Sequence, residues 1–298
     1  MSPEELVQLP VPAATLAQVL ACHDDYRVLR RIRQMVRGKV GFHRRDELCL
    51  CVLDCETTGT DYRSDKIIEL AVQRIYVAAD GAIAMTGKPR SWLEDPGVSI
   101  PSEVSKITGL TDADVKGRSI SQGEACGIIS SADAVLSHNA GFDRPFVEKR
   151  LGLSGLAWVC SLNDLDWRTW GFEGRSLAQL LWQCGWFYEA HRASADLNAL
   201  LHLLDHRLRP EKAVLKELLE RARCPTWVIE AVGAPFSARA ILKTRGYRWD
   251  PAGRFWWKEV GDELLRDELD WASLYIYGGL ETPPHRAVTW TERYAARN

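Results

Sequence analysis

The chain of 298 residues lacks the long apolar run that a membrane-spanning helix requires. No stretch of about 18 consecutive apolar residues occurs in it. Its first residues, from Met1 to Glu5, are acidic, whereas a secretory signal begins with a basic segment. We therefore expect a cytoplasmic protein that has no membrane partner.

Paired C-x-x-C motifs are also absent, although the chain contains eight cysteines. This absence argues against both a disulfide scaffold and a zinc ribbon. Cys49, Cys51 and Cys55 alternate with other residues along one apolar segment. Such alternation favours side chains that are buried by packing over side chains that hold a metal.

The chain has no dominant charge of either sign, since its net charge is −2. A hydrophobic content of 46% with 26% charged residues is typical of a soluble globular protein. Apolar residues at helical spacing predict a helix from Ala13 to Arg37, so we expect residues 1–46 to form a helical, basic extension. Its uninterrupted basic run can contact phosphates or form a solvated face. The run consists of Arg27, Arg30, Arg31, Arg33, Arg37, Lys39, Arg44 and Arg45.

Two carboxylates, Asp54 and Glu56, end an apolar segment that begins at Leu48. Side chains of a β-strand alternate between its faces, so these two acids project from one face with about 7 Å of rise between them. Buried carboxylates are costly unless they are paired or bind a metal, and this spacing suits a divalent cation. The alternative is a pair of strand-end acids that reach water.

The next strand is predicted from Lys66 to Val77, with a third strand after an Ala-Asp-Gly turn. Its acid, Glu69, lies in an apolar context, and we interpret it as structural, holding the turn after Glu56. A further buried strand, predicted from Ala134 to Ser137, leads towards Asp143. Pro145 favours the first turn of a helix, which places Asp143 near the helix N-terminus. Asp143 can also be an ordinary helix-capping acid.

A fourth acid, Asp196, shares one helical face with a run of apolar residues, so it lies on the side of the helix that packs. His191, five residues earlier, stands just before this helix and can lean over the same site. Taken alone it can equally be a surface histidine. His202 and His206 lack a third ligand, which favours surface positions for both.

These four acids come from three separate segments, and converging like charges repel strongly unless divalent cations neutralise them. Sites built of oxygen ligands select Mg²⁺ or Mn²⁺ over zinc. Two such ions about 3.5 to 4 Å apart can activate a water molecule and stabilise the leaving oxygen of a phosphoryl displacement. A histidine titrates near neutrality and can accept the proton of that water. The pattern therefore indicates a phosphodiesterase.

Three segments in this order resemble the motifs of the DnaQ-like DEDDh 3′→5′ exonucleases, the family of the DNA polymerase III proofreading subunit. They are Asp54-x-Glu56-Thr57-Thr58-Gly59, His138-Asn139-x-x-Phe142-Asp143 and His191-x-x-x-x-Asp196. The resemblance covers roughly residues 47–208. It implies an α/β fold of the RNase H-like type, in which helices flank a mixed β-sheet. It also implies removal of nucleotides one at a time from a 3′ end.

The resemblance further implies a role for each matched residue. Asp54, Glu56 and Asp196 would hold the first of two Mg²⁺ or Mn²⁺ ions, and Asp54 with help from Asp143 would hold the second. His191 would be the general base. The residues implied to contact substrate are Thr57, Thr58, Gly59, Ile107, Thr108, Gly109, His138, Asn139 and Phe142.

Residues 211–298 follow this exonuclease domain (47–210). Their sequence predicts a small α+β accessory module. A short helix and a β-hairpin over 245–259 are indicated, with Asp-Pro-Ala-Gly as the turn. We expect another helix or strand near Trp271 and a loosely packed end from Pro283. The aromatic residues can stack on a single-stranded nucleic acid or form a small core of their own. The candidate nucleic-acid contacts are Arg245, Arg248, Trp249, Trp256 and Lys258.

The expected partner is a nucleic acid with a free 3′ end. Single-stranded DNA is favoured, in proofreading, repair or maturation, and RNA trimming is the alternative because the same site serves both sugars. A different class of protein, a catalytically idle nucleic-acid-binding or polymerase-associated subunit, is disfavoured by the intact acids. No clamp-binding peptide stands out in the tail, so nothing in the sequence supports polymerase association.

Overall fold

The computed structural model describes residues 11–38, 47–209 and 212–296. Lys39, Arg44, Arg45 and the acidic N-terminus lie outside these ranges. The strands are β1 (Arg30–Arg31), β2 (Leu48–Thr57), β3 (Ile67–Val77), β4 (Ile83–Thr86), β5 (Arg90–Leu93), β6 (Ala134–Ser137), β7 (Trp158–Cys160), β8 (Trp186–Phe187), β9 (Arg207–Arg209), β10 (Lys212–Ala213), β11 (Thr226–Ala231), β12 (Arg248–Asp250), β13 (Phe255–Gly261) and β14 (His285–Val288). The helices are α1 (Ala13–Ala21), α2 (Ser102–Thr108), α3 (Asp112–Val115), α4 (Gln122–Ser130), α5 (Ala140–Leu151), α6 (Leu177–Gln183), α7 (Ala193–Leu204), α8 (Val214–Arg223), α9 (Arg239–Thr244) and α10 (Asp262–Tyr277).

The central sheet is mixed, with the strand order β4-β3-β2-β6-β7, and β5 also pairs with β3. Strands β2, β3 and β4 form an antiparallel meander, while β6 and β7 run parallel to β2. Parallel strands need a crossover connection, and helices α4 and α5 supply it here. The predicted α/β, RNase H-like sheet flanked by helices is therefore confirmed.

Alternation along β2 sends its side chains into two different cores. Cys51 and Cys55 pack in the core that includes α5, as predicted from their parity. Leu50 and Val52 pack in the opposite core, which includes α7. Asp54 and Glu56 have the parity of Leu50 and Val52, so β2 directs both acids towards α7.

The N-terminal segment departs from the predicted helix. Only Ala13–Ala21 is helical, and the chain then runs as an extended strap in which Arg30–Arg31 pairs in parallel with Trp186–Phe187. Asn198 accepts the Met35 N–H at 2.9 Å and donates to the carbonyl of Arg33 at 3.1 Å. The helix prediction beyond residue 21 was wrong because these tertiary hydrogen bonds supply the partners that a helix would have supplied internally.

A separate sheet, here called the C-terminal sheet, has the order β12-β13-β11-β14 and is entirely antiparallel. The predicted hairpin is confirmed as β12 and β13, and α9 precedes it. One face of this sheet packs on α10, with Ile229, Ala231 and Val260 buried between them. Among the helices of the described ranges, none has both the length and the apolar character needed to cross a bilayer.

We expect a loosely packed end from Pro283 onward, but the structure shows that this segment is well packed. His285–Val288 pairs with β11, and the buried Arg293 donates to the carbonyl of Cys224 at 2.6 Å and contacts Asp164 at 3.3 Å. Arg144 in turn donates to the carbonyl of Arg293 at 2.6 Å. This prediction was wrong because the partners of the tail lie far away in sequence, on α5, in the loop after β7 and on β11.

Candidate active site

Three carboxylates converge at the end of β2. Asp54, Glu56 and Asp196 each contribute one carboxylate oxygen to a group whose members all lie within 4.8 Å of one another. We refer to these three residues as the acid cluster. Strand β2 supplies the first two and the first turn of α7 supplies the third. Packing of α7 on β2 therefore brings together acids that are 140 and 142 residues apart in sequence.

Hydrogen bonds fix the carboxylate of Asp196 on both sides. The hydroxyl of Tyr188 donates to Oδ1 at 2.7 Å. The backbone N–H groups of His191 and Arg192 donate to Oδ2 at 2.7 and 3.1 Å. Bonds to a charged acceptor are stronger than bonds between neutral groups, so Asp196 presents its remaining lone pairs in a fixed direction.

Asp143 is fully buried beside the acid cluster. Its Oδ1 accepts a hydrogen bond from the backbone N–H of Cys55 at 3.1 Å, which ties it to β2 between Asp54 and Glu56. The helix that carries Asp143 begins at Ala140, so Pro145 lies in its second turn rather than its first. The predicted start was too late because Asn139, with φ +82°, already turns the chain into the helix.

His191 stands just before α7, as predicted, with an exposed side chain. Its backbone adopts the left-handed region at φ +69°, which is uncommon for a residue other than glycine. That conformation aims its N–H at Asp196. Burial raises the pKa of the Asp196 carboxyl, and the nearby side chain of His191 acts in the opposite direction. The histidine therefore borders the acid cluster from the solvent side.

Glu69 lies directly across the sheet from Glu56 in the β2–β3 register. Its buried carboxylate accepts from Arg192 Nε at 2.9 Å, from the Ala193 N–H at 3.2 Å and from Ser91 at 3.1 Å. The interpretation of Glu69 as structural agrees with these contacts, but the segment that it holds is the start of α7 rather than the turn after Glu56. Arg192 in this way links β3 to the helix of Asp196.

Mutual repulsion and burial make these acids reluctant to ionise. Burial, followed by Asp196 and Glu69, raises the pKa of Glu56 to about 8. Burial raises the pKa of Asp143 to about 7 against hydrogen bonds that lower it. Burial and the neighbouring acids raise the pKa of Asp54 well above its usual value. Carboxylates that share a site in this way are the expected setting for a cation that neutralises them.

The turn after β2 uses its own hydroxyl groups. Thr57 donates to the carbonyl of Gly59 at 2.5 Å. Thr58 donates to Asp65 at 3.2 Å and accepts the Lys66 N–H at 3.0 Å. A Cβ atom on Gly59 would lie 2.5 Å from an Asp65 oxygen, so a larger residue there would displace the Asp65 side chain that holds the turn. Both threonines are buried beside the acid cluster with their hydroxyls engaged in the turn.

The two other segments that were predicted to contact substrate, near Ile107 and His138, differ in the exposure of their side chains. Ile107 is 57% exposed at the end of α2, whereas Thr108 is buried and Gly109 caps the helix at φ +71°. His138 donates from Nε2 to the carbonyl of Arg175 at 3.1 Å and accepts at Nδ1 from Ser161 at 2.8 Å. Its ring nitrogens are used within the protein, and burial lowers its pKa to about 4.

The candidate contacts of the C-terminal sheet fall on different faces. Arg245 and Lys258 both contact the buried Glu268, at 3.3 and 2.7 Å. Trp249 and Trp256 pack edge to face, with centroids 5.7 Å apart. Arg248 has the opposite parity on β12 and lies over the ring of Trp257 at 5.6 Å. Of the predicted cations, Arg248 alone has no ion pair within the described residues.

Sequence reasoning missed Tyr188 and Arg192. No local signal marks Tyr188, because its contact with Asp196 depends on the path of the loop between β8 and α7. The need for a cation at the position of Arg192 could have been inferred from the sequence. Once the β2–β3 hairpin places Glu69 opposite Glu56, a cation is needed to stabilise that buried pair of acids.

Comparison with known proteins gives one family match. The RNase T exonuclease family matches residues 51–204. No curated protein matches the chain.

Among solved structures, exonuclease X in complex with 5′-overhanging duplex DNA is 20% identical and covers 57% of this chain and 99% of its own, with a TM-score of 0.40. E. coli exonuclease I in complex with a dA16 oligonucleotide is 16% identical and covers 82% of this chain and 64% of its own, with a TM-score of 0.49. These identities are too low to transfer a substrate.

Proposed function

The chain belongs to the RNase T exonuclease family, and from this membership we propose that it is a metal-dependent 3′→5′ exonuclease of the DEDDh type. The substrate that we propose is single-stranded DNA with a free 3′ end. Each turnover would release one nucleoside 5′-monophosphate and leave a new 3′ hydroxyl on the shortened strand.

The observation that carries this proposal is the acid cluster itself. Three carboxylate oxygens lie within 4.8 Å of one another, Asp143 is tied to the same strand, and His191 borders them. This arrangement lowers the stability of the metal-free protein at neutral pH, since the pKa values of Glu56 and Asp143 are raised in the folded state. Costly groups gathered at one point favour a catalytic site.

The donor set fits hard divalent cations. All of the available ligand atoms are carboxylate oxygens, which Mg²⁺ and Mn²⁺ prefer, and no sulfur or imidazole nitrogen belongs to the cluster. Asp54, Glu56 and Asp196 would hold one ion, and Asp54 with Asp143 would hold a second. When bound, such ions would supply charge neutralisation and Lewis acidity at the scissile phosphate.

The protein's own groups would divide the remaining work. His191, exposed beside Asp196, would accept the proton of the attacking water as a general base. Tyr188 and the N–H groups of His191 and Arg192 would keep Asp196 in one orientation, which contributes to catalysis because no reorganisation is then needed during the reaction. The exposed Ile107 would pack against the terminal base.

End-labelled oligonucleotides test this proposal. With Mg²⁺, a single-stranded DNA labelled at its 5′ end should shorten stepwise into a ladder, while the same strand labelled at its 3′ end should release the label in the first step. A circular strand of the same composition is the control and should remain intact. Cutting of the circle would mean an endonuclease, and a parallel RNA strand that is degraded faster than DNA would move the proposal to an exoribonuclease.

A further inference from the structure

A groove of about 1310 Å³ opens between the central sheet and the C-terminal sheet. Thr60, Asn139 and Phe142 line one part of it. Thr60 lies four residues after Glu56, and Phe142 directly precedes Asp143 on α5, so close sequence neighbours of two of the acids line this part of the groove. The volume exceeds the roughly 300–1,000 Å³ of small-molecule pockets, which favours a larger occupant.

One face of the C-terminal sheet forms the far wall of this groove. Strand alternation sends Trp227, Ile229 and Ala231 towards α10, where they are part of the apolar core. Residues of the other parity lie on the opposite face of the sheet, away from α10. The groove-lining residues of this face are Thr226, Glu230, Arg248, Asp250, Phe255, Trp257, Glu259, Arg286 and Val288.

A cation and two aromatic rings lie close together on this wall. The guanidinium of Arg248 lies over Trp257 at 5.6 Å, and Phe255 is next on the same face of β13. On the opposite wall, Phe142 and Phe146 form a pair with ring centroids 5.1 Å apart. Aromatic platforms beside cations are the features by which proteins bind single strands without regard to sequence.

Most acids of the groove accept hydrogen bonds or form ion pairs within the protein. Asp164 and Glu259 both contact Arg293, at 3.3 and 3.8 Å. Asp250 accepts two backbone N–H groups of its own turn, and Glu292 contacts Arg286 at 3.6 Å. Arg175 and Arg248 also line the groove and form no ion pair within the described residues. Arg175 and Arg248 are therefore the lining cations that remain available to the phosphates of a ligand.

We propose that this groove holds the single-stranded segment on the 5′ side of the scissile phosphate. The bases would stack on Trp257 and Phe255, and the phosphates would contact Arg248 and Arg175. This inference rests on the proposed function, because it takes the 3′ end to lie at the acid cluster and the strand to leave it past Thr60 and Phe142. It also assigns the nucleic-acid contacts to the face of Arg248 and Trp257, not to that of Trp249 and Trp256.

The test compares binding of a long and a short strand. The protein is the full chain with Asp54→Asn, which prevents cleavage in Mg²⁺. The probes are a 5′-fluorescein oligothymidylate of about 20 nucleotides, longer than the 4–16 that one single-strand-binding fold covers, and a trinucleotide. Arg248→Glu should raise the Kd of the long strand at least tenfold and lower its salt slope by about 0.7. The trinucleotide Kd should change less than twofold.

Two further variants distinguish a specific role of the groove from a general effect of charge or of misfolding. Arg266→Glu makes the same charge change on α10, where the side chain is 91% exposed, and should leave both Kd values unchanged. Phe255→Ala should weaken the long strand alone, by loss of stacking. An unchanged long-strand Kd in both Arg248→Glu and Phe255→Ala would overturn the proposal.

The binding experiment on the groove and the cleavage assay of the proposed function can succeed or fail independently. Loss of long-strand binding in a protein whose unmodified form never cleaves DNA would support the groove and refute the nuclease. Mg²⁺-dependent cleavage together with unaltered binding by the groove variants would support the nuclease and refute the groove.

Discussion

Replacing Glu56 by glutamine should stabilise the metal-free protein at neutral pH. The pKa of Glu56 is raised to about 8 in the folded chain from a usual 4.5. Between these two values the folded protein binds more protons than the unfolded chain does, so stability falls as the pH rises through this window. Glutamine carries no charge and removes this penalty.

The size of the effect follows from the pKa difference. For an isolated group, ionisation linkage between pKa 4.5 and 8 lowers the free energy of unfolding by about 3 kcal/mol at pH 7 and by about 1 kcal/mol at pH 5. Glu56 is partly exposed, so we discount the value at pH 7 to about 2 kcal/mol. In a chain of this size, that amount corresponds to a midpoint shift of about 3 °C.

The assay is thermal or urea unfolding in EDTA at pH 5 and pH 7.5. Glu56→Gln should exceed the unmodified protein in stability at pH 7.5 and approach it at pH 5. Glu263→Gln, on the exposed surface of α10, is the matched control and should change little at either pH. Saturating Mg²⁺ should stabilise the unmodified protein more than Glu56→Gln, because binding to the folded state adds to its stability. A Glu56→Gln protein less stable than the unmodified one at pH 7.5 in EDTA would refute this reasoning.

Three further substitutions test other parts of the site. His191→Ala should lower the single-turnover rate by roughly 10² to 10⁴ with the Kd for single-stranded DNA retained; a weakened Kd with an unchanged rate would make this histidine a substrate contact instead. Tyr188→Phe removes the hydroxyl that donates to Asp196 at 2.7 Å, so activity should require more Mg²⁺ and fall about tenfold, for a loss of about 1.5 kcal/mol; an unaltered Mg²⁺ titration would remove Tyr188 from the site. Arg192→Ala leaves the buried Glu69 without its cation and should cost about 1–3 kcal/mol in urea unfolding, whereas an unchanged midpoint would mean that Glu69 is satisfied by its other donors.

The parts of the fold and site that were predictable are those set by local periodicity. Strand alternation alone placed Asp54 and Glu56 on one face of β2 and Cys51 and Cys55 on the other. Helical periodicity placed Asp196 on the packing side of α7. These features depend on residues a few positions apart, for which the geometry of the backbone is the same in every protein.

The parts that were not predictable depend on contacts between distant segments. Residues 24–37 have apolar residues at helical spacing, yet Val36 is 77% exposed and the segment is held by Asn198 and by its pairing with Trp186–Phe187. The tail is held by Arg144 and Asp164 in the same way. Sequence periodicity does not report such partners, because tertiary hydrogen bonds override a local preference.

The groove face was missed for a related reason. Arg245, Arg248 and Lys258 look equivalent in the sequence, but Glu268 engages two of them. Whether a cation is available therefore depends on an acid from a later helix that packs behind the hairpin.

The central claim is that the acid cluster binds divalent cations and cleaves phosphodiester bonds. The measurement that tests it most directly is the Mg²⁺ dependence of shortening of a 5′-labelled single-stranded DNA by the unmodified protein and by Asp54→Asn. We predict a ladder that grows with Mg²⁺, disappears in EDTA and is lost in Asp54→Asn although that variant remains folded. Equal shortening by Asp54→Asn, or shortening that persists in EDTA, would contradict the account.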